Sequence, residues 1–295
     1  MRTMISLASL CLLATFPYTV YAQNSDHSWS KTYAVTGKPS LTLDISDANV
    51  QIRSCGDCRQ VSIHVELEEQ KLSDYRLEES QSGDAIRFSL KEHMKDRSRF
   101  GFHVNWHRSE PKVTIDTPAE LAFDAHTSDG HFEASGLRGE LSLRSGDGNV
   151  DMDDVKGKLR VESGDGHVRL TNAEGALEAR MSDGGLTVDG TFHAIALYTS
   201  DGNLDLTLRD GSKLTEASRI ESSDGKVHIR VPHDFTADLD VHTNDGHVEC
   251  ALPLTMDHFS SNGDSSGHGL HGKLNGGGTP LLIRTSDGNV TIQTL

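Results

Sequence analysis

Asp-Gly recurs along this chain with a fixed step. The dipeptide stands at Asp129-Gly130, Asp147-Gly148, Asp165-Gly166, Asp183-Gly184 and Asp201-Gly202, each 18 residues after the last. It continues at Asp224-Gly225, Asp245-Gly246 and Asp287-Gly288, after steps of 23, 21 and 42, with a degenerate early copy at Ser46-Asp47-Ala48-Asn49-Val50. Self-similarity at this period marks a repeat architecture, in which one unit cannot bury its apolar face alone and neighbours must stack.

Aligning these eight copies on their Asp, with the off-step Asp189-Gly190 and Asp210-Gly211 left aside, tests what each unit is. Strand side chains alternate between faces, so positions six and four before Asp and three and five after it should share one face. Of these 32 positions 31 are apolar, as with Leu141, Leu143, Val150 and Met152, and Ser218 is the exception. The interleaved positions five and three before and four after Asp hold 21 polar residues of 24; Ala196, Tyr198 and Leu282 break that rule. Each unit therefore reads as two short strands with one buried face, joined by a tight turn.

Turn chemistry accounts for the dipeptide: Asp bonds neighbouring amides and tolerates left-handed angles, and Gly supplies positive φ. A hydroxyl stands two residues before Asp in seven copies, with Met181 replacing it once. Gly139, Gly157 and Gly175 mark the return turn. Two all-β folds use such units: an antiparallel hairpin meander, or a single-stranded parallel β-solenoid, of β-helix or β-roll type, whose coils of 18–21 residues stack at ~4.8 Å. In-register recurrence of like residues favours the solenoid, because stacking rewards it and a meander does not require it.

The organisation expected is a secretory signal over 1–22, irregular N-terminal β coils and a cap over 23–120, and regular repeats over 121–295. The signal reading rests on Arg2, the apolar stretch Ile5 to Phe16 and the small-residue site ending at Ala22. The cap includes a charged excursion from Lys71 to Arg108, and a Gly/Ser-rich loop over 257–279 stands where one copy is missing between Asp245 and Asp287. The last coil ends at Leu295 without a capping helix, so its edge is expected to pair with a second copy or a partner strand.

Charge narrows the partners. Lys plus Arg total 28 against 44 Asp plus Glu, a formal −16, which argues against nucleic acid or an anionic membrane surface. After the signal no apolar run approaches a transmembrane span. Cys55 and Cys58, in Cys-Gly-Asp-Cys between strand-like flanks, suit a local disulfide in an oxidising compartment. Cys250 falls on the apolar face and reads as a buried, inert thiol.

The exported N-terminus, the Ser-Asp-Gly-Asn-Val units, and Gly272-Lys273-Leu274-Asn275-Gly276-Gly277-Gly278 ahead of Leu282-Ile283-Arg284-Thr285-Ser286-Asp287-Gly288-Asn289-Val290 resemble the bacterial adhesin-like family of β-strand-repeat domains of unknown function, related to the toast-rack envelope-stress proteins. The resemblance covers most of residues 35–295. It implies a single-chain β-solenoid on the cell envelope and supplies no catalytic motif.

Stacked carboxylates invite two chemical readings. Calcium would use them as oxygen ligands, but the chain lacks the Gly-Gly-x-Gly-x-Asp roll signature. A glycosidase needs one defined carboxylate pair, and stacking singles out none. His126-Thr127-Ser128-Asp129-Gly130-His131 is nearly duplicated as His242-Thr243-Asn244-Asp245-Gly246-His247, so His126, Asp129 and His131, and His242, Asp245 and His247, are weak zinc or calcium candidates beside solvated turn residues. No cofactor is expected. The reading is a non-enzymatic, exported envelope protein, periplasmic or on the surface, that binds an envelope protein, a glycan or itself. Its alternatives are a periplasmic stress scaffold or sensor and, third, a polysaccharide-active enzyme.

Overall fold

The computed structural model describes residues 23–93, 109–258 and 268–295. The signal expectation over 1–22 lies outside them, as do 94–108 of the charged excursion and 259–267 of the Gly/Ser-rich loop.

The protein is all-β: 24 strands belong to one hydrogen-bonded sheet that doubles over a single core, and the only helical element described is one 3-10 turn, Leu72–Asp74. Strands preceding each Asp-Gly form one ladder and strands following it form another. In the leading ladder, Arg138–Ser145 pairs in parallel with Glu120–Thr127 on one side and Lys156–Ser163 on the other, each offset by 18 residues. In the trailing ladder, Val150–Asp153 pairs in parallel with Phe132–Ser135 and with Val168–Met181. A hairpin meander would instead pair the two flanks of each turn with one another.

The alternation counted in the sequence is the alternation of burial. Leu141, Leu143, Val150 and Met152 are all 2% exposed or less. Ser218, the lone polar residue among the 32 aligned inner positions, is buried with its hydroxyl 3.1 Å from the Ile195 nitrogen and 3.2 Å from the Glu216 carbonyl, so its polarity is satisfied.

The glycines serve a purpose other than the one turn chemistry suggests. Of the eight, only Gly130 has a left-handed φ, +97°, and among the described residues the left-handed non-glycine ones are Asp154, Asn172 and Asn275, none of them a repeat Asp. What excludes a side chain is contact: a Cβ on Gly148, Gly166, Gly184, Gly202 or Gly225 would run into the carbonyl of the preceding repeat's glycine. Two further features lock the turn. The hydroxyl two residues before Asp is buried, and in several copies it bonds the turn, as Thr199 Oγ1 does to the Gly202 carbonyl and Ser222 Oγ to that of Gly225. Asn two residues after Asp accepts the backbone N–H of the next coil: Asn149 from His167, Asn203 from Lys226, Asn289 from His247. That Asn ladder was not anticipated from the sequence.

The far end departs from sequence order. Pro280–Thr285 pairs in parallel with both Ser218–Ser222 and Ala237–Thr243, and Val290–Thr294 pairs with both Val227–Val231 and Val248–Cys250. The Asp287 repeat is thus inserted between those of Asp224 and Asp245. The expected self-associating C-terminal edge is therefore corrected: both faces of that coil already have ladder partners within the chain. Nor is a copy missing between Asp245 and Asp287. Leu254–His258 and His268–Leu274 pair antiparallel, and the latter covers the outer side of Ala237–Thr243. Val248–Cys250 ends the trailing ladder, which leaves Cys250 half-buried rather than buried.

At the other end, antiparallel strands close both ladders. Tyr75–Ser82 pairs with Ala85–Glu92, which continues the leading ladder beside Ser40–Ile45, while Gln60–Glu66 and Ser28–Ala34 extend the trailing one. Antiparallel caps stop the parallel stack from offering another copy the same register.

Candidate interaction surface

The outward positions of the leading ladder form rows that cross the strands. Opposite charges alternate along them and interlock. Arg144 Nε lies 3.1 Å from Glu162, whose other oxygen takes Arg160 Nη2 at 2.8 Å; Arg160 also reaches Glu178 at 3.3 Å, and Arg180 pairs with Glu178. Hydrogen bonding by Arg160, then by Arg144, holds the Glu162 carboxyl below its ordinary range, and Arg284 does the same for Asp240. These carboxylates are therefore kept ionised, the opposite of what a general acid requires.

Concavities along this face are open and shallow. One of about 580 Å³ lies among Asp44, Glu79, Arg87 and Lys91 near the antiparallel cap. Another, of about 500 Å³, lies near the far end among Arg180, Tyr198, Glu221, His242, Asn244 and Arg284. In the second, Arg180 sits over the Tyr198 ring at 4.9 Å from its centroid.

The repeat aspartates Asp129, Asp147, Asp165, Asp183, Asp201, Asp224, Asp245 and Asp287 are all exposed in one file along the turn edge. The metal candidates are dispersed. His126 faces the Asp44 and Lys91 surface, whereas His131 sits across the turn with Nε2 at 3.6 Å from Asp151. His242 lies in the far concavity, and the His247 backbone N–H bonds Asn289. Among the described residues, His, Cys, Asp and Glu gather nowhere in a group of three that could hold an ion. Cys55 and Cys58, with Cα atoms 5.8 Å apart, are joined as a disulfide. Burial pushes the Cys250 thiol up. No helix among the described residues is long and apolar enough to cross a membrane.

The row Arg180, Tyr198, Glu221, Arg284 and His242 was not recognised from sequence. Of the trio that broke the outward polar rule, only Tyr198 lies in this row; Ala196 and Leu282 fall in the neighbouring row, on either side of Arg219.

The family description that matches the sequence is Toastrack DUF4097, over residues 39–293. Among solved structures, one named a "putative lipid binding protein" from Parabacteroides distasonis is similar at 14% identity, covering 90% of this chain and 96% of that one, with a TM-score of 0.51, a likeness of fold. A "putative adhesin" from Bacteroides fragilis aligns at 13% identity over 92% of this chain and 98% of its own, with a TM-score of 0.44. A "putative cell adhesion protein" from Clostridium sporogenes gives 11%, 90% and 99%, with a TM-score of 0.30. No curated protein matches significantly.

Proposed function

Since the chain belongs to the Toastrack DUF4097 family, we propose that it is an exported envelope protein of β-solenoid form that works by binding rather than catalysis, its outward strand faces holding a surface partner. One observation carries the reading: the leading ladder presents side chains in register across successive parallel strands, a periodic face suited to an extended ligand. Parallel pairing at an 18-residue offset supports the solenoid form. The arginine-held carboxylates Glu162 and Asp240 support binding over acid catalysis. Export rests on the charged, apolar and small-residue pattern of residues 1–22.

Protease treatment of intact cells, followed by immunodetection and with a periplasmic protein as control, tests the location. Loss of the chain while the control survives is the expected result. Survival until the envelope is opened would overturn the surface placement.

A further inference from the structure

Three of the four ladder ends are finished by antiparallel strands, and the fourth is not. At the near end Tyr75–Ser82 covers Ala85–Glu92, and Gln60–Glu66 and Ser28–Ala34 extend the trailing ladder. At the far end the leading ladder continues past Ala237–Thr243 through His268–Leu274 to Leu254–His258. The trailing ladder stops at Val248–Cys250, whose described ladder partner is Val290–Thr294 on one side. Among the described residues, the leading layer therefore overhangs the trailing one by two strands. This edge belongs to the Asp245 coil; the C-terminal coil lies one strand further in.

The step leaves core uncovered. Val227, Ile229, Val290 and Ile292, on the inner face of neighbouring trailing strands, are at most 1% exposed, whereas Val248, Cys250 and, on the overhang, Leu254 are only partly buried. Backbone groups are open as well. Val290 N–H bonds the His247 carbonyl and Ala251 N–H that of Ile292, so Val248 and Cys250, alternating with these positions, turn their N–H and C=O groups to the free side. The near end is blunted instead: Lys31, which alternates with Trp29 and Tyr33, and Glu79, which alternates with Tyr75 and Leu77, pair at 2.6 Å. Inward charges of this kind deter edge pairing, and Val248, Cys250, Leu254, Leu270 and Leu274 at the far end carry none.

A second copy of this chain complements the step. Leu254–His258 is two antiparallel pairings from Ala237–Thr243 and so runs parallel to it; Val248–Cys250 runs the other way, because the Asp245 turn reverses the chain. A half-turn about an axis parallel to the strands and midway between the layers carries each copy's overhang into the other's step without changing strand direction. Each Val248–Cys250 edge then meets the free edge of the other copy's Leu254–His258 strand antiparallel, the closure that finishes the other three ends. Two strands fill a step two strands wide.

We infer that two copies of this chain join end to end through this step, each completing the other's trailing ladder. The joint leaves the outward faces free and does not depend on the partner-binding reading above. At ~4.8 Å per strand and ~3.3 Å per residue each overhang measures about 10 by 17 Å, a small surface suited to weak, reversible association.

Sedimentation equilibrium of the mature protein from ~1 to ~500 µM, with amide hydrogen exchange followed by NMR at both limits, tests it. A reversible monomer–dimer equilibrium is expected, with the Val248 and Cys250 amides exchanging about fivefold more slowly at the high concentration and the Leu77 and Glu79 amides of the near-end edge unchanged. Val248→Lys should abolish the dimer and Leu77→Lys should leave it. The exchange measurement uses the unaltered chain, so it decides even where a variant fails to fold. Monomer alone at the highest concentration, a dimer in which Val248 and Cys250 exchange as in the monomer, slowed exchange at Leu77 and Glu79 instead, or undiminished dimerisation of folded Val248→Lys each overturns the joint.

Discussion

Replacing Gly184 by Ala isolates why the turn glycines are required. In most proteins Gly→Ala at a residue with ordinary φ stabilises by ~0.4–1 kcal/mol, because the unfolded chain loses freedom. Gly184 lies outside the left-handed region, so that rule predicts a gain. Its surroundings predict the reverse. A Cβ there would lie 2.8 Å from the Gly166 carbonyl carbon, with the carbonyl oxygen nearer still. Carbon atoms pack at ~3.5–4.0 Å, so the two coils must separate by roughly 1 Å. Two bonds span that gap, Ser182 N–H to the Ser163 carbonyl at 3.2 Å and Val168 N–H to the Gly185 carbonyl at 2.9 Å. Neither survives such a displacement. Losing both costs ~1–3 kcal/mol, and overpacking against backbone adds ~1–3 kcal/mol, for a total of about 2–6 kcal/mol. Gly278→Ala is the control: its nearest neighbour is a backbone oxygen at 3.4 Å, so it should be neutral or slightly stabilising. Urea unfolding followed by circular dichroism reads both. A Gly184→Ala midpoint equal to or above wild type would refute the contact argument and return the glycines to turn conformation.

Glu162→Gln should lower stability at neutral pH. Because Arg160 and Arg144 depress the Glu162 carboxyl, its contribution is present above the ordinary carboxylate range and is lost as pH falls through the folded value. The difference between variant and wild type should therefore shrink as pH falls through that depressed value, and a constant difference down to acid would refute the ion-pair account. Deleting residues 280–295 removes the coil inserted between those of Asp224 and Asp245, so amide protection should fall across 237–250 as well; unchanged exchange there would contradict the inserted order. Cys250, half-buried with its thiol pushed up by burial, should react with a thiol reagent several times more slowly in the native protein than in denaturant at the same pH, and equal rates would show an open site. Reducing the Cys55–Cys58 bridge should cost no more than ~2 kcal/mol, since the closed loop is very short.

Much of this fold is legible in the sequence because its information is local. Alternating apolar positions about each Asp-Gly define the strands, their faces and the buried core, and a repeat of 18 residues pairs Leu141 with Leu159 and Ser145 with Ser163 without knowledge of anything distant. The even step also points to parallel stacking. Three features depended on contacts between segments that sequence order does not relate. The glycines are held by carbonyls one coil away, a proximity invisible within a single turn. The Asp287 repeat lies between two earlier ones while His268–Leu274 occupies the place outside the Asp245 coil, so both edges of Ala237–Thr243 are taken within the chain. The row through Tyr198 is completed by Arg284, some 86 residues further along, and exists only once that insertion has occurred. Strand identity follows from which side chains must leave water, and that is written in the order of residues; which strands become neighbours follows from where hydrogen-bonding edges remain open, and that is settled only when the whole chain has folded.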